Sequence, residues 1–325
     1  MISFRFGQDD LLRTRFALAP LMELVGCVYA LRDPAGVAVH RPWAEWTMPR
    51  TAHLDLSLLE VATPSKRPFY PVFIGPPPRV PHPTVASEFE RVRATPPERV
   101  SEEIAQAYPE GVPDEGRILV EDPARGLERL VAQMQALWDA ALAPWWERLV
   151  SVLESEIAWR ARRLATVGPG AAFTGLHERV SWRDGVLRVG PTTKAPTDVD
   201  LAGRGLLLVP AAFTWPNVWP RSDPPWDPAL VYPPSGIAEL WAPDERDDSA
   251  LEALLGERRA RILLELVRPA STLDLSKRMG ASPGGVSEHL GVLRRAGLVV
   301  GRREGRRVIY ARTARGDELA RASGV

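Results

Sequence analysis

The chain has 325 residues, 45% hydrophobic and 25% charged, with 41 basic against 41 acidic side chains. That length exceeds the usual single domain, and the mix is that of a folded globular protein rather than a disordered one. No run approaches the ~18 uninterrupted apolar residues of a membrane span, and the single cysteine, Cys27, excludes internal disulfides and multi-cysteine metal sites.

Taken in chain order, Ile2, Phe4 and Phe6 alternate with polar residues and predict a strand. The first seven residues lack the basic-then-apolar pattern of a secretion leader, so a cytoplasmic location is expected. Asp9 and Asp10 open an apolar helix over about residues 9–31, ended by Asp33-Pro34. Residues 34–97 are rich in Pro and Trp, with short helices expected at 41–47 and 54–60. Another helix is expected at 98–108. Asp122-Pro123 starts a strong one, with Leu127, Leu130, Val131, Met134, Leu137, Trp138 and Leu142 on one stripe. Pro144 should break it, and the next helix runs to about residue 166. Asp184-Gly185 between two alternating segments is a two-residue hairpin turn. Residues 205–209, 211–219 and 230–232 read as β-like. The fold class expected for residues 1–242 is therefore α+β, mostly helical with a small sheet.

The composition then shifts. Residues 250–325 carry fifteen basic and eight acidic side chains, so the rest of the chain is acidic. All 11 tryptophans precede residue 242, and of 32 prolines only Pro269 and Pro283 fall in the last 76 residues. Two domains are expected, 1–242 and 250–325, joined by an acidic linker at 243–249. A small basic domain beside an acidic one fits a nucleic-acid reader attached to something else. Arginines number 38 against three lysines. That bias fits a GC-rich genome, so placement of arginine is informative where abundance is not.

Residues 250–267 predict one amphipathic helix, stopped by Pro269. Ser271, with Asp274 three residues on, forms a capping-box pattern for a second helix that Gly280 ends. Ser282 caps a third, with Pro283 in its first turn and Val286, Leu290 and Leu293 as its buried stripe. Strands at 298–303 and 307–312 follow. Helix, helix, turn, helix and β-hairpin make a winged helix-turn-helix. Arg302, Arg303, Arg306 and Arg307 crowd the hairpin tip, where only an anionic partner relieves their repulsion. Ser282, Ser287, Glu288 and His289 give the third helix short polar groups for base edges. Gly284 and Gly285 let its backbone approach phosphate, and Arg294 and Arg295 lie further on. Ser271 and Thr272, at the start of the second helix, complete the candidate DNA-binding set.

The run from Ser282 to Val299, with Ser287-Glu288-His289-Leu290, Leu293-Arg294-Arg295-Ala296-Gly297-Leu298-Val299 and then Arg302 to Tyr310, resembles the ArsR family of bacterial winged-helix repressors. The resemblance covers the last quarter of the chain. It implies a homodimer on double-stranded operator DNA, controlled by an effector. The residues depart from the family in two places. Metal-sensing members carry Cys, Asp or His ligands, often on the second helix, which here has neither Cys nor His, so metal sensing is not carried over. Glu288 stands where Arg or Gln is frequent, and a carboxylate accepts from cytosine N4 but repels phosphate. Residues 11–17, 94–100 and 203–210 resemble an N-terminal domain fused to such winged helices in GC-rich bacteria, which implies no chemistry.

Cys27, between Gly26 and Val28 in an apolar helix, reads as a buried inert thiol. His40, His53, His82 and His177 lack ligand spacing, so no metal site is expected. Arg13, Arg15 and Arg204 are expected to pair with Asp9, Asp10 or Glu23. Trp138, Trp145, Trp146 and Trp215 are candidates for an effector pocket, and residues 123–166 and 251–267 for dimer surfaces. No phosphate loop, nucleophile elbow or His-Glu-x-x-His pattern occurs, so no enzyme activity and no cofactor are expected. The leading expectation is a sequence-specific transcriptional regulator, a repressor. The alternatives are an enzyme or an interaction scaffold that uses the winged helix for targeting or assembly.

Overall fold

The N-terminal alternation forms a strand, Ile2–Arg5, that buries Ile2 and Phe4. It pairs antiparallel with Val186–Val189 of the hairpin and parallel with Thr197–Asp200, in a four-stranded sheet whose far edge is Val180–Arg183. The hairpin turn holds φ of 51° at Asp184 and 74° at Gly185, the positive values that the connection requires. This computed structural model describes residues 1–65, 69–191, 196–222, 226–237, 240–241, 248–266, 269–304 and 307–322. The chain divides into two units, Met1–Trp241 and Ala242–Val325.

The single helix expected over 9–31 is two. Gln8–Arg13 ends, Arg15–Phe16 pairs in parallel with Leu207 and Leu208, and a new helix runs over Pro20–Arg32. Pro20 lacks the N–H that a continuing helix needs, but it suits a first turn. A second sheet is ordered Arg15–Phe16, Leu207–Pro210, Ala229–Tyr232, Trp219–Arg221, with only the last pairing antiparallel. Its two central strands are buried at every position, as strands covered on both faces are. Residues 211–219, expected to be β-like, instead hold a 3-10 turn, Ala212–Thr214, before the strand begins at Trp219. The Glu23 carboxylate takes the N–H groups of Ala212 and Phe213, at 2.7 and 2.9 Å, and so removes them from any ladder.

Around these sheets pack Arg41–Thr51, Ser57–Ala62, Val85–Arg93, Pro97–Ala107, Pro123–Leu137 and Trp146–Val167. The helix from Pro123 buries Leu127, Leu130, Val131, Met134 and Leu137. A π turn, Trp138–Leu142, and a 3-10 turn through Pro144 separate it from the next helix. That helix buries Arg160, which pairs with Glu156 and donates to the carbonyls of Ala172, Thr174 and Gly175. A charge this deep is stable only because each donor has a partner.

Gly26 sits in the middle of Pro20–Arg32, where a Cβ would lie 2.5 Å from Phe213 Cβ and 2.7 Å from its carbonyl oxygen. Gly26→Ala is expected to destabilise this unit by about 1–3 kcal/mol through overpacking. A lower urea midpoint by tryptophan fluorescence checks it, and an unchanged midpoint refutes it.

In the second unit, the expected helix over 250–267 is also two, Asp248–Leu255 and Glu257–Glu265. Gly256, at φ 81°, breaks the helical path between them. Of the expected linker, 243–247 lie outside the described residues, and Asp248 and Ser249 begin the first of these helices. Helices Thr272–Met279 and Pro283–Arg295 follow. The wing is Val299–Glu304 antiparallel to Arg307–Arg312, with Ile309 and Tyr310 also pairing with Ser271 and Ala270. That third strand and a closing helix, Ala314–Ala322, have no signal in the patterning of the sequence. The core is Ile262, Leu263, Leu275, Val286, Leu290 and Leu293 with their neighbours.

Candidate nucleic-acid interface

Local caps set the helix-turn-helix. Ser271 Oγ accepts from Asp274 N–H at 3.3 Å, while Ser271 N–H and Oγ–H donate to the Asp274 carboxylate at 3.1 and 2.6 Å. The Ser271 hydroxyl first, then its backbone N–H, hold that carboxyl below the usual carboxylate range. Ser271 is therefore buried and committed as a cap, which corrects its place in the DNA-binding set; Thr272 beside it is half-buried. Gly280 ends the helix at φ 62°. Ser282 Oγ then accepts from Gly285 N–H at 3.3 Å and opens the next helix.

Val286, Leu290 and Leu293 fix the buried side of Pro283–Arg295. The exposed side follows from the 3.6-residue period. Gly284, Ser287, Glu288, Arg294 and Arg295 are exposed, and at about 100° per residue they fall on one stripe of the helix. Ser282 is exposed at its start, Gly285 and His289 are half-buried on its flank. The stripe thus offers small polar groups in its first half and two guanidinium groups in its last turn. Glu288 is the only carboxylate on it.

On the wing, Arg302, Arg303 and Arg307 are exposed. Arg302 stands opposite Ile309, Arg303 opposite Val308, and Arg307 opposite Glu304. Arg306 lies outside the described residues. Arg312, further down the same strand, is different. Its side chain is 10% exposed and pairs with Asp317 at 3.0 Å, which ties the wing to the last helix. Tyr310 packs against the core of this unit. The arrangement gives a groove-sized helix face beside a cationic hairpin, which can place short side chains at base edges and guanidinium groups at phosphates.

The first unit places the tryptophan candidates differently. A cavity of about 600 Å³ is bordered by Trp215 and Trp219. Trp138, Trp145 and Trp146 do not border it. Trp138 meets Trp146 edge-on at 4.9 Å, and Trp145 meets Trp46 at 5.4 Å and Trp241 at 5.3 Å. The irregular turns before and at Pro144 rotate both neighbouring indoles into the helical core. Tyr29, Tyr70 and Arg179, which line the cavity, carry no spacing signal. The arginine partners differ as well. Arg15 pairs with Asp227 at 2.8 Å, Arg13 donates to the Gly203 carbonyl, and Arg204 to those of Leu201 and Asp200. Cys27 is fully buried, donates to the Leu24 carbonyl, and has its thiol pKa pushed up by burial first and by Glu23 second. Among the described residues, no three His, Cys, Asp or Glu side chains are grouped to hold a metal ion.

The second unit is a winged helix-turn-helix domain. Residues 257–302 match a helix-turn-helix domain family, and residues 114–237 match a family of unknown function, DUF5937. A stretch of 64 residues, 19% of this chain, is 42% identical to the HTH-type transcriptional regulator NmtR of Mycobacterium tuberculosis. The chain spans about half of that relative's length, 53%. Reduced HlyU from Vibrio cholerae shares 31% identity over 25% of this chain and 90% of its own, with a TM-score of 0.20. Within the C-terminal unit the chain is thus similar to helix-turn-helix regulators, and over residues 114–237 to the DUF5937 family.

Proposed function

We propose that the protein is a DNA-binding transcriptional regulator of the ArsR type, a repressor that acts as a homodimer. In this reading, residues 250–325 form the DNA-binding domain, and residues 1–242 serve sensing and dimerisation. The observation that carries it is the exposed stripe of Gly284, Ser287, Glu288, Arg294 and Arg295, joined in one small unit to the arginines of the wing. Short side chains face base edges and the wing arginines face phosphates, so two such domains read half-sites about one helical turn apart. The N-terminal domain binds an effector with different affinity in the DNA-bound and DNA-free states, which is what control requires.

Fluorescence anisotropy of the full chain against its own upstream DNA and a scrambled duplex, at two salt concentrations, tests this. The expected result is a preference for the upstream DNA of ~10³-fold or more, with affinity falling as salt rises. Equal, salt-independent affinity for both duplexes would remove the regulator reading.

A further inference from the structure

The cavity in the N-terminal unit lies within the 300–1,000 Å³ of small-molecule sites. Its wall is aromatic. Tyr29 meets Tyr70 edge-on at 6.5 Å and Trp219 edge-on at 6.1 Å, and all three line the space. Its charged groups, Arg179 and Arg221, have one sign. Arg179, Arg221 and Asn217 line it, and no aspartate or glutamate does among the described residues. Arg179 Nη1 donates to the Asn217 side-chain oxygen at 3.2 Å, a neutral partner that orients the guanidinium without neutralising it. Tyr29 stays a neutral phenol, because burial and then Tyr70 push its pKa up.

From this geometry we infer that the cavity binds a small aromatic molecule bearing one carboxylate or sulfonate, with the ring body against Tyr29, Tyr70 and Trp219 and the anion at Arg179. A planar guanidinium matches the two oxygens of such a group, and the apolar wall strengthens the pairing by excluding water. A neutral ligand of the same shape leaves Arg179 without an anion, and a cationic one is repelled. The inference deepens the effector reading above and rests on it for its biological use, but its test does not involve DNA.

The full chain is titrated with 1-anilinonaphthalene-8-sulfonate and with N-phenyl-1-naphthylamine, which lacks the sulfonate. The expected result is one sulfonate-dye site per chain. Arg179→Gln should weaken that dye about tenfold and leave the neutral dye within twofold. Val37→Trp, at the half-buried edge of the cavity, should block both dyes. On the unmodified chain, 1-naphthoate should displace the dye and 1-naphthamide should not, an answer that needs no variant. Equal displacement by the two, or a dye site indifferent to both substitutions, overturns the inference. Dye binding without any change in DNA affinity keeps the site and removes effector control. DNA binding without a dye site removes the site alone.

Discussion

Alanine at Arg302, Arg303 and Arg307 together lowers affinity for every duplex by about 10⁵-fold near 0.1 M salt, upstream and scrambled DNA alike. The wing carries cations that meet phosphates, and phosphates are the same in all sequences. Each phosphate contact releases about 0.9 of a counterion, so two wings losing three arginines each should flatten the slope of log affinity against log salt by about 5 units. Anisotropy at four salt concentrations measures that slope directly. A slope unchanged from that of the unmodified chain would take the wing out of the interface. Glu288→Gln should behave in the opposite way. Removing the one negative charge of the exposed stripe raises affinity for all duplexes slightly, while the amide oxygen still accepts from a cytosine amino group, though more weakly than the carboxylate. Arg312→Ala is the control within the wing. Its guanidinium faces Asp317, so the change costs stability of the domain and not salt dependence.

The winged helix was legible because its punctuation is local. Ser271 with Asp274, Gly280, Ser282-Pro283 and the apolar triplet Val286, Leu290 and Leu293 each act within one or two turns. Its unread parts depend on distant partners: Ala270 and Ser271 become a strand only by pairing with Tyr310 and Ile309. The same limit runs through the N-terminal unit. Arg15 and Phe16 pair with Leu207 and Leu208, about 190 residues away, and this pairing divides a segment that looks helical throughout. The direction of Trp145 and Trp146 was decided by irregular turns whose geometry no periodicity encodes. The cavity draws Tyr29, Tyr70, Arg179 and Trp219 from four separate segments. Composition pointed to an aromatic-rich domain, and tertiary pairing chose which aromatics line a space.

The buried pair of Glu23 and His40 gives the N-terminal unit an unusual pH profile. Both groups touch the turn at Ala212. Glu23 accepts from the N–H groups of Ala212 and Phe213, while His40 Nε2 lies 3.1 Å from the Ala212 carbonyl and its Nδ1 accepts from Trp241 Nε1–H at 2.9 Å. Those contacts define a neutral imidazole that donates from Nε2. Burial pushes Glu23 up from 4.5 to about 7 against its two backbone hydrogen bonds, and pushes His40 down from 6.5 to about 4. Glu23, with a raised folded value, adds stability that is full below pH 4.5 and is lost as pH rises to 7. His40, with a lowered folded value, adds stability that is full above pH 6.5 and is lost as pH falls to 4. Each shift corresponds to about 3 kcal/mol. Between pH 4.5 and 6.5 the two slopes oppose each other, since folded and unfolded chains each hold one proton across the pair, so the unmodified unit shows a plateau there. Glu23→Gln removes one slope. It also sets an amide NH₂ against a backbone donor, a fixed cost of about 1–3 kcal/mol. Its stability should then climb by about 3 kcal/mol from pH 4 to 6.5. His40→Gln should fall by about the same amount from pH 4.5 to 7. Urea unfolding followed by tryptophan fluorescence reads this unit alone, because all 11 tryptophans precede residue 242. Surface carboxylates titrate alike in the three proteins and cancel in the differences. Three parallel profiles would mean that neither group changes its proton affinity on folding.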